Sequence, residues 1–165
     1  MIEQAEVLRK ALREGRSSSL ARRRGVAALS ALAMIDAGLV ALQQMGALRL
    51  PDPPGPFDTD EVVGSREAYL FGAPDAALGA VVHALALVLA GAGGDRSVGR
   101  HPAWSLALAG VVGGAGLATW GYLGVMFTRF PRWCPYCISA GLLSLGATAL
   151  VVPEALEAAR DLRRR

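Results

Sequence analysis

Apolar residues gather in four long runs that carry almost no charge, separated by short polar segments. The first, Gly25–Leu48, holds a single charge, Asp36, and the second, Pro74–Gly93, carries Asp75 only at its start. The third, Pro102–Thr128, and the fourth, Cys134–Val152, carry none. Each approaches the roughly 20 residues that an α-helix needs to cross about 30 Å of hydrocarbon. A helix also satisfies its own backbone groups, as lipid demands. One such run could be a buried core helix, but four in 165 residues leave too little polar sequence to solvate them. The pattern predicts an all-α fold, an integral membrane four-helix bundle with four transmembrane spans.

The segments between the runs divide the chain. Residues 1–24 read as an amphipathic helix (IEQAEVLRKALREG), a serine-rich joint and a basic anchor, solvated rather than docked on lipid. Residues 25–152 form the four-span unit, and 153–165 are a basic tail. Between the first two spans lies an outer loop, LPDPPGPFDTDEVVGSREAYLFGAPD. Its prolines stiffen the start, because proline fixes φ and lacks a donor. Ser65 is placed to cap a short helix, REAYLF, with Glu67 in its first turn. Gly72 and Pro74 then end that element, and Asp75 suits the N-terminus of the second span. Gly110, Gly114 and Ala118 form a small-residue stripe in the third span, beside Ser105, Ala109 and Gly113. Such stripes let helices approach closely in lipid, and packing within the bundle is expected here rather than dimerisation. The segment GRHP reads as a short turn between the second and third spans.

Composition agrees: 53% of residues are apolar, 19% are charged, and the mean hydropathy is +0.37. Charge placement adds an orientation. Thirteen of the 17 basic residues fall on one side: those before Gly25, Arg96 and Arg100, and those from Arg160 onward. Arg49, Arg66, Arg129 and Arg132 fall on the other, with Asp52, Asp58, Asp60, Glu61 and Glu67. By the positive-inside rule both termini are cytoplasmic, in a multi-pass protein of a bacterial-type inner membrane. The net charge of +3 then needs no nucleic-acid partner; membrane lipid is the partner implied. No cleaved signal peptide is expected, since the polar N-terminal segment is too long and the first apolar run is of full span length.

Both cysteines, Cys134 and Cys137, open the fourth span in RWCPYCISAGLLSLG. On the non-cytoplasmic side disulfide chemistry is permitted. The helix N-terminus, with Arg129 and Arg132 upstream, favours thiolate over thiol. Pro135 fits the first helical turn. A closed zinc site needs about four ligands, and the remaining candidates, His83 and His101, lie at mid-membrane and on the cytoplasmic side, so no metal is expected. A glutaredoxin-like fold would need a βαβ pattern that is absent. An inert pair of small apolar residues remains open; redox activity accounts for more of the pattern.

The four spans, the WCPYC of Trp133–Cys137 and the loop end SREAYLFGAP of Ser65–Pro74 together resemble the vitamin K epoxide reductase family over roughly Gly25–Val152. The resemblance implies a membrane thiol oxidoreductase that couples disulfide formation in a thioredoxin-like extracytoplasmic protein to reduction of a membrane quinone. It implies a quinone of the ubiquinone or menaquinone class as substrate, and no metal. Cys137 would face the quinone, and Cys134 would exchange with the protein partner. Three departures stand out. The loop lacks the second cysteine pair that relays electrons in typical members, and no thioredoxin-like domain is fused. The tyrosine that some members place four residues after the second cysteine is Gly141 here.

Asp36 and His83 fall near the middle of the first two spans. A charge there costs roughly 2.5–3.5 kcal/mol on insertion scales, so both should face the bundle interior. A carboxylate–imidazole pair could supply the protons of quinone reduction, or be merely structural. Ser65, Tyr69 and Tyr136 are further candidates to bind the quinone. Trp120, Tyr122, Trp133 and Tyr136 suit an interfacial aromatic belt, and some could wall the pocket. The competing expectation is a membrane scaffold that keeps the fold with reduced or no catalysis.

Overall fold

The structure, a computed structural model, describes residues 6, 9, 10, 18–92 and 102–164. Four long helices make the bundle: α1 (Ser18–Gln44), α3 (Asp75–Ala92), α4 (Pro102–Arg129) and α5 (Pro135–Arg163). A short helix, α2 (Thr59–Val63), lies in the loop between α1 and α3, followed by a 3-10 turn at Arg66–Ala68. Strands β1 (Tyr69–Leu70) and β2 (Ala73–Pro74) then pair antiparallel. Their two-residue turn has positive φ at both Phe71 (52°) and Gly72 (81°), the handedness that suits a tight hairpin.

The long helices close a ring. Helix α1 packs on α3 and α5, and α4 packs on α5 and α3, so α1 and α4 stand diagonally across the bundle. All four are long and apolar enough to cross a membrane. Their faces are sorted as lipid requires. Inward positions are small, among them Ser30, Ala33, Ala37, Ala86, Gly116, Ser144 and Ala147. Large apolar side chains point out: Leu32, Ile35, Val81, Leu85, Val88, Leu117 and Leu142 are exposed. In water such a surface would be an aggregation liability; in a bilayer, small residues inside let the helices approach and large ones outside meet acyl chains. The chain is a multi-pass membrane protein.

The helices overrun the expected spans at one end. α1 begins at Ser18 rather than Gly25, and α5 continues through Pro153 to Arg163. The reason is a buried ion pair. Arg23 and Glu154 are only 2% and 1% exposed. The Arg23 guanidinium donates to both Glu154 carboxylate oxygens, to the Ser105 hydroxyl, and to the Leu89 and Ala90 carbonyls at the end of α3. Ser105 in turn donates to Glu154 Oε1 at 2.6 Å. All four long helices meet at this cluster. Arg23, read from the sequence as part of a basic anchor, is an interior residue.

Two other expectations change. The short loop helix is α2, capped by Asp58, whose Oδ1 accepts the Glu61 N–H at 3.0 Å. Ser65 makes no side-chain cap, and REAYLF divides between the 3-10 turn and β1. Asp58 wins because α2 buries Thr59, Val62 and Val63, whereas REAYLF buries only Ala68. In the third span, Cβ atoms added at Gly110, Gly113 and Gly114 would meet nothing within 4 Å among the described residues. The close approach is at Gly116 instead, where a Cβ would lie 2.7 Å from Thr148 Oγ1 of α5. The expected N-terminal amphipathic helix and the GRHP turn lie outside the described residues, apart from residues 6, 9, 10 and Pro102.

Candidate dithiol site

Cys134 is the N-cap of α5, with Pro135 at the first helical position. Its Sγ accepts the Cys137 N–H at 3.0 Å, and its own N–H points to Met126 Sδ at 3.4 Å. Both cysteines are free thiols. The Cys137 N–H aimed at Sγ from the first turn of α5 is the kind of contact that favours a thiolate over a thiol at a helix N-terminus. Cys134 is therefore the readier thiolate of the pair.

It is not the more accessible one. Cys134 is 0% exposed. It packs with Val40, Val62, Val63, Leu123 and Met126, beneath α2. The cover is fastened at several points. Phe57 bridges to Trp133, with Asp58 N–H to Trp133 O at 3.0 Å and Trp133 N–H to Pro56 O at 2.9 Å. Thr59 N–H donates to Asp52 Oδ2 at 2.9 Å, and the Tyr136 hydroxyl to Pro51 O at 2.8 Å. Gln43 Nε2 holds Asp60 at 2.6 Å. Gln44 Nε2 reaches Ala68 O and Asp75 Oδ1, both at 2.9 Å. The loop thus folds back over the helix start and seals Cys134, the thiol that the family resemblance would have exchange with a protein partner.

Cys137, one turn further in, lines a cavity of about 270 Å³. Its walls are mainly apolar, from Ala37 and Val40 of α1, Val63 of α2, Leu78, Gly79 and Val82 of α3, and Ala115 and Ala118 of α4. Exposed Leu70 and Leu78 stand on its rim, so it reaches the outer surface of the bundle there. The size falls just below the usual range of ligand pockets, roughly 300–1,000 Å³.

The cavity gathers most of the candidates chosen from sequence. Asp36, His83 and Tyr136 line it together with Cys137. Asp36 and His83 do face the interior, yet no hydrogen bond joins them; each takes a serine of α5 instead. Ser139 Oγ donates to Asp36 Oδ1 at 3.0 Å, and Ser144 Oγ lies 3.4 Å from His83 Nε2. Tyr69 falls outside the lining. Its hydroxyl donates to Gln44 O at 3.1 Å, so it fastens the loop. Ser65 is not a lining residue either, and its buried Oγ lacks a hydrogen-bond partner among the described residues. Sequence reasoning missed Asp75 and Thr119 as wall residues. Of the four belt aromatics, some of which could wall the pocket, Tyr122 and Tyr136 line it; hydropathy does not say which face of a helix a residue occupies. Gln44 gave no signal at all, because an amide at a span end looks like ordinary interfacial polarity.

At the position four residues after Cys137, Gly141 packs against Leu123 and Thr119 of α4, so a side chain there would have to displace that contact. Other helices contribute most of the cavity's hydrogen-bonding side chains: Asp36 from α1, Asp75 and His83 from α3, and Thr119 and Tyr122 from α4. A search of curated proteins finds no match to the chain. The family model described as "Vitamin K epoxide reductase family" matches residues 25–152, most of the chain, and the protein belongs to that family.

Proposed function

We propose that the protein is a thiol oxidoreductase that passes two electrons from the Cys134–Cys137 dithiol to a membrane quinone held in the cavity. The observation that carries this reading is the placing of Cys137 in the wall of a mainly apolar cavity that reaches the bundle surface. A quinone head group from the bilayer can enter such a cavity; a protein thiol cannot. In the reaction both S–H bonds break, an S–S bond forms between Cys134 and Cys137, and the quinone becomes a quinol. The disulfide is reduced again by the dithiol of a thioredoxin-like extracytoplasmic protein. That thiol attacks Cys134, forms a mixed disulfide, and is released as a disulfide by its second thiol. Since Cys134 is sealed under α2, this half-reaction needs the segment around Pro51–Val63 to move. On this reading the dithiol end faces the extracytoplasmic side of an inner membrane, as the basic-residue bias requires.

Purified, reduced protein mixed with a short-tailed ubiquinone or naphthoquinone should lose both titratable thiols as quinol appears, and Cys137→Ser should form no quinol. Thiols that survive both quinones would overturn the reading. A membrane scaffold that keeps the fold is the second reading, favoured by the complete burial of Cys134 and by a loop without cysteine. Surviving thiols are its expected result.

A further inference from the structure

The two thiols differ in where their protons can go. Cys137 lines the cavity and can release its proton there, whereas Cys134 is 0% exposed and is not among the lining residues. Above Cys134 lies the buried face of α2, made of Thr59, Val62 and Val63, and both valines pack on the thiol. Thr59 precedes Val62 by three residues, so one helical turn puts it on the same face. Its hydroxyl is set against the Cys134 thiol. Thr59 is itself 0% exposed, yet its hydroxyl donates to Asp52 Oδ1 while its N–H donates to Asp52 Oδ2 at 2.9 Å. Asp52 is exposed, in the proline-stiffened strip Pro51–Pro56. The N–H contact alone would fasten the loop; the hydroxyl contact completes a row of thiol, hydroxyl, carboxylate and water. Thr59 has a single hydroxyl hydrogen, and Asp52 takes it, so towards the thiol the hydroxyl presents a lone pair.

We propose that Thr59 and Asp52 carry the Cys134 proton out to extracytoplasmic water, an inference that rests on the function proposed above. As Cys134 loses its proton to Thr59 Oγ1, Thr59 passes its own hydrogen to Asp52 Oδ1, and both hydrogen bonds reverse. The Thr59 hydroxyl then donates to the thiolate, and the neutral carboxyl gives its proton to water. Cys137 gives its proton to one quinone oxygen. The Cys134 thiolate closes the disulfide with Cys137, two electrons enter the ring, and the second oxygen takes a proton from water at the cavity rim. One proton leaves at the loop, one enters at the cavity, and dithiol plus quinone become disulfide plus quinol. Thr59 and Asp52 belong to the segment that must move for the protein partner, so the row is complete only while the cover is shut. Proton exit by this route is thereby confined to the quinone half of the cycle.

The test is single-turnover oxidation of the pre-reduced protein by a saturating short-tailed ubiquinone, followed across pH, with a melting temperature for each variant. Thr59→Val keeps the shape and loses the hydroxyl. At neutral pH it should slow oxidation about a hundredfold, and the loss should shrink as pH rises and hydroxide takes the proton instead. Thr59→Ser should restore most of the rate. Asp52→Asn still accepts the Thr59 N–H but takes no proton, and should show the same loss with the same pH dependence. A wild-type rate in either Thr59→Val or Asp52→Asn overturns the inference alone. So does a loss that is constant across pH and tracks a lower melting temperature, which marks a fastening role. Absence of oxidation in the wild type, with naphthoquinone also inert, removes the proposed function and this inference with it.

Discussion

Two thiols three residues apart on one helix start have opposite surroundings. Cys134 is the N-cap, hydrogen-bonded by the Cys137 N–H and sealed under α2; Cys137 faces the cavity. Under the proposed scheme the roles divide the same way. In Cys137→Ser the lone Cys134 thiolate can still attack the disulfide of the oxidised partner, forming a mixed disulfide and freeing one partner thiol, so a covalent adduct should be trapped by acid. In Cys134→Ser no adduct should form. Non-reducing electrophoresis after acid trapping in the host reads both, and equal adduct in the two variants would refute the division. At this scale the sequence was legible where chemistry is scarce. Two cysteines, one mid-span carboxylate and one mid-span imidazole stand out against apolar residues, and three of the four line one cavity. It was illegible where a residue type is ambiguous. Tyr122 could face lipid or the interior, Arg23 could anchor a headgroup or neutralise a buried carboxylate, and only the helix packing decides.

Among the elements, hydropathy located the four long helices of the described residues, but it placed ends by charge, and one end of the bundle hides its charges. Removing one partner of a buried ion pair leaves the other uncompensated, at a cost of roughly 3–5 kcal/mol. Arg23→Met should therefore destabilise the bundle by about that much, seen as a lower melting temperature in detergent. The double variant Arg23→Met with Glu154→Leu should recover much of the loss; a double variant as unstable as the sum of its parts would count against the pairing. Glycine meaning was equally hidden, because a G-x-x-x-G spacing says that helices can approach, not where they do. Gly116→Ala forces a Cβ to within 2.7 Å of Thr148 Oγ1 and should cost about 1–3 kcal/mol. Gly114→Ala, with open space around it, should be neutral or slightly stabilising through helix propensity. Reversal of that order would refute the α4–α5 contact.

For the whole molecule, the orientation set by basic residues is open to direct labelling. The fully buried Cys134 is a poor reporter, but Phe71 at the hairpin tip is 99% exposed. In a background of Cys134→Ser and Cys137→Ser, Phe71→Cys should react with an impermeant maleimide in intact cells. Leu162→Cys, near the end of α5, should react only after the inner membrane is opened. The reverse pattern would overturn the topology. The molecule also has two unlike ends. Arg23, Glu154, Ser105 and the last carbonyls of α3 tie all four long helices together at one end, far along α5 from the dithiol. The other end is closed by a loop held mostly through single hydrogen bonds. Mechanically this is a clothes-peg: the spring sits at one end, and the jaws work at the other. The jaws can part for a lipid-borne guest or a protein visitor while the spring keeps the four rods in register.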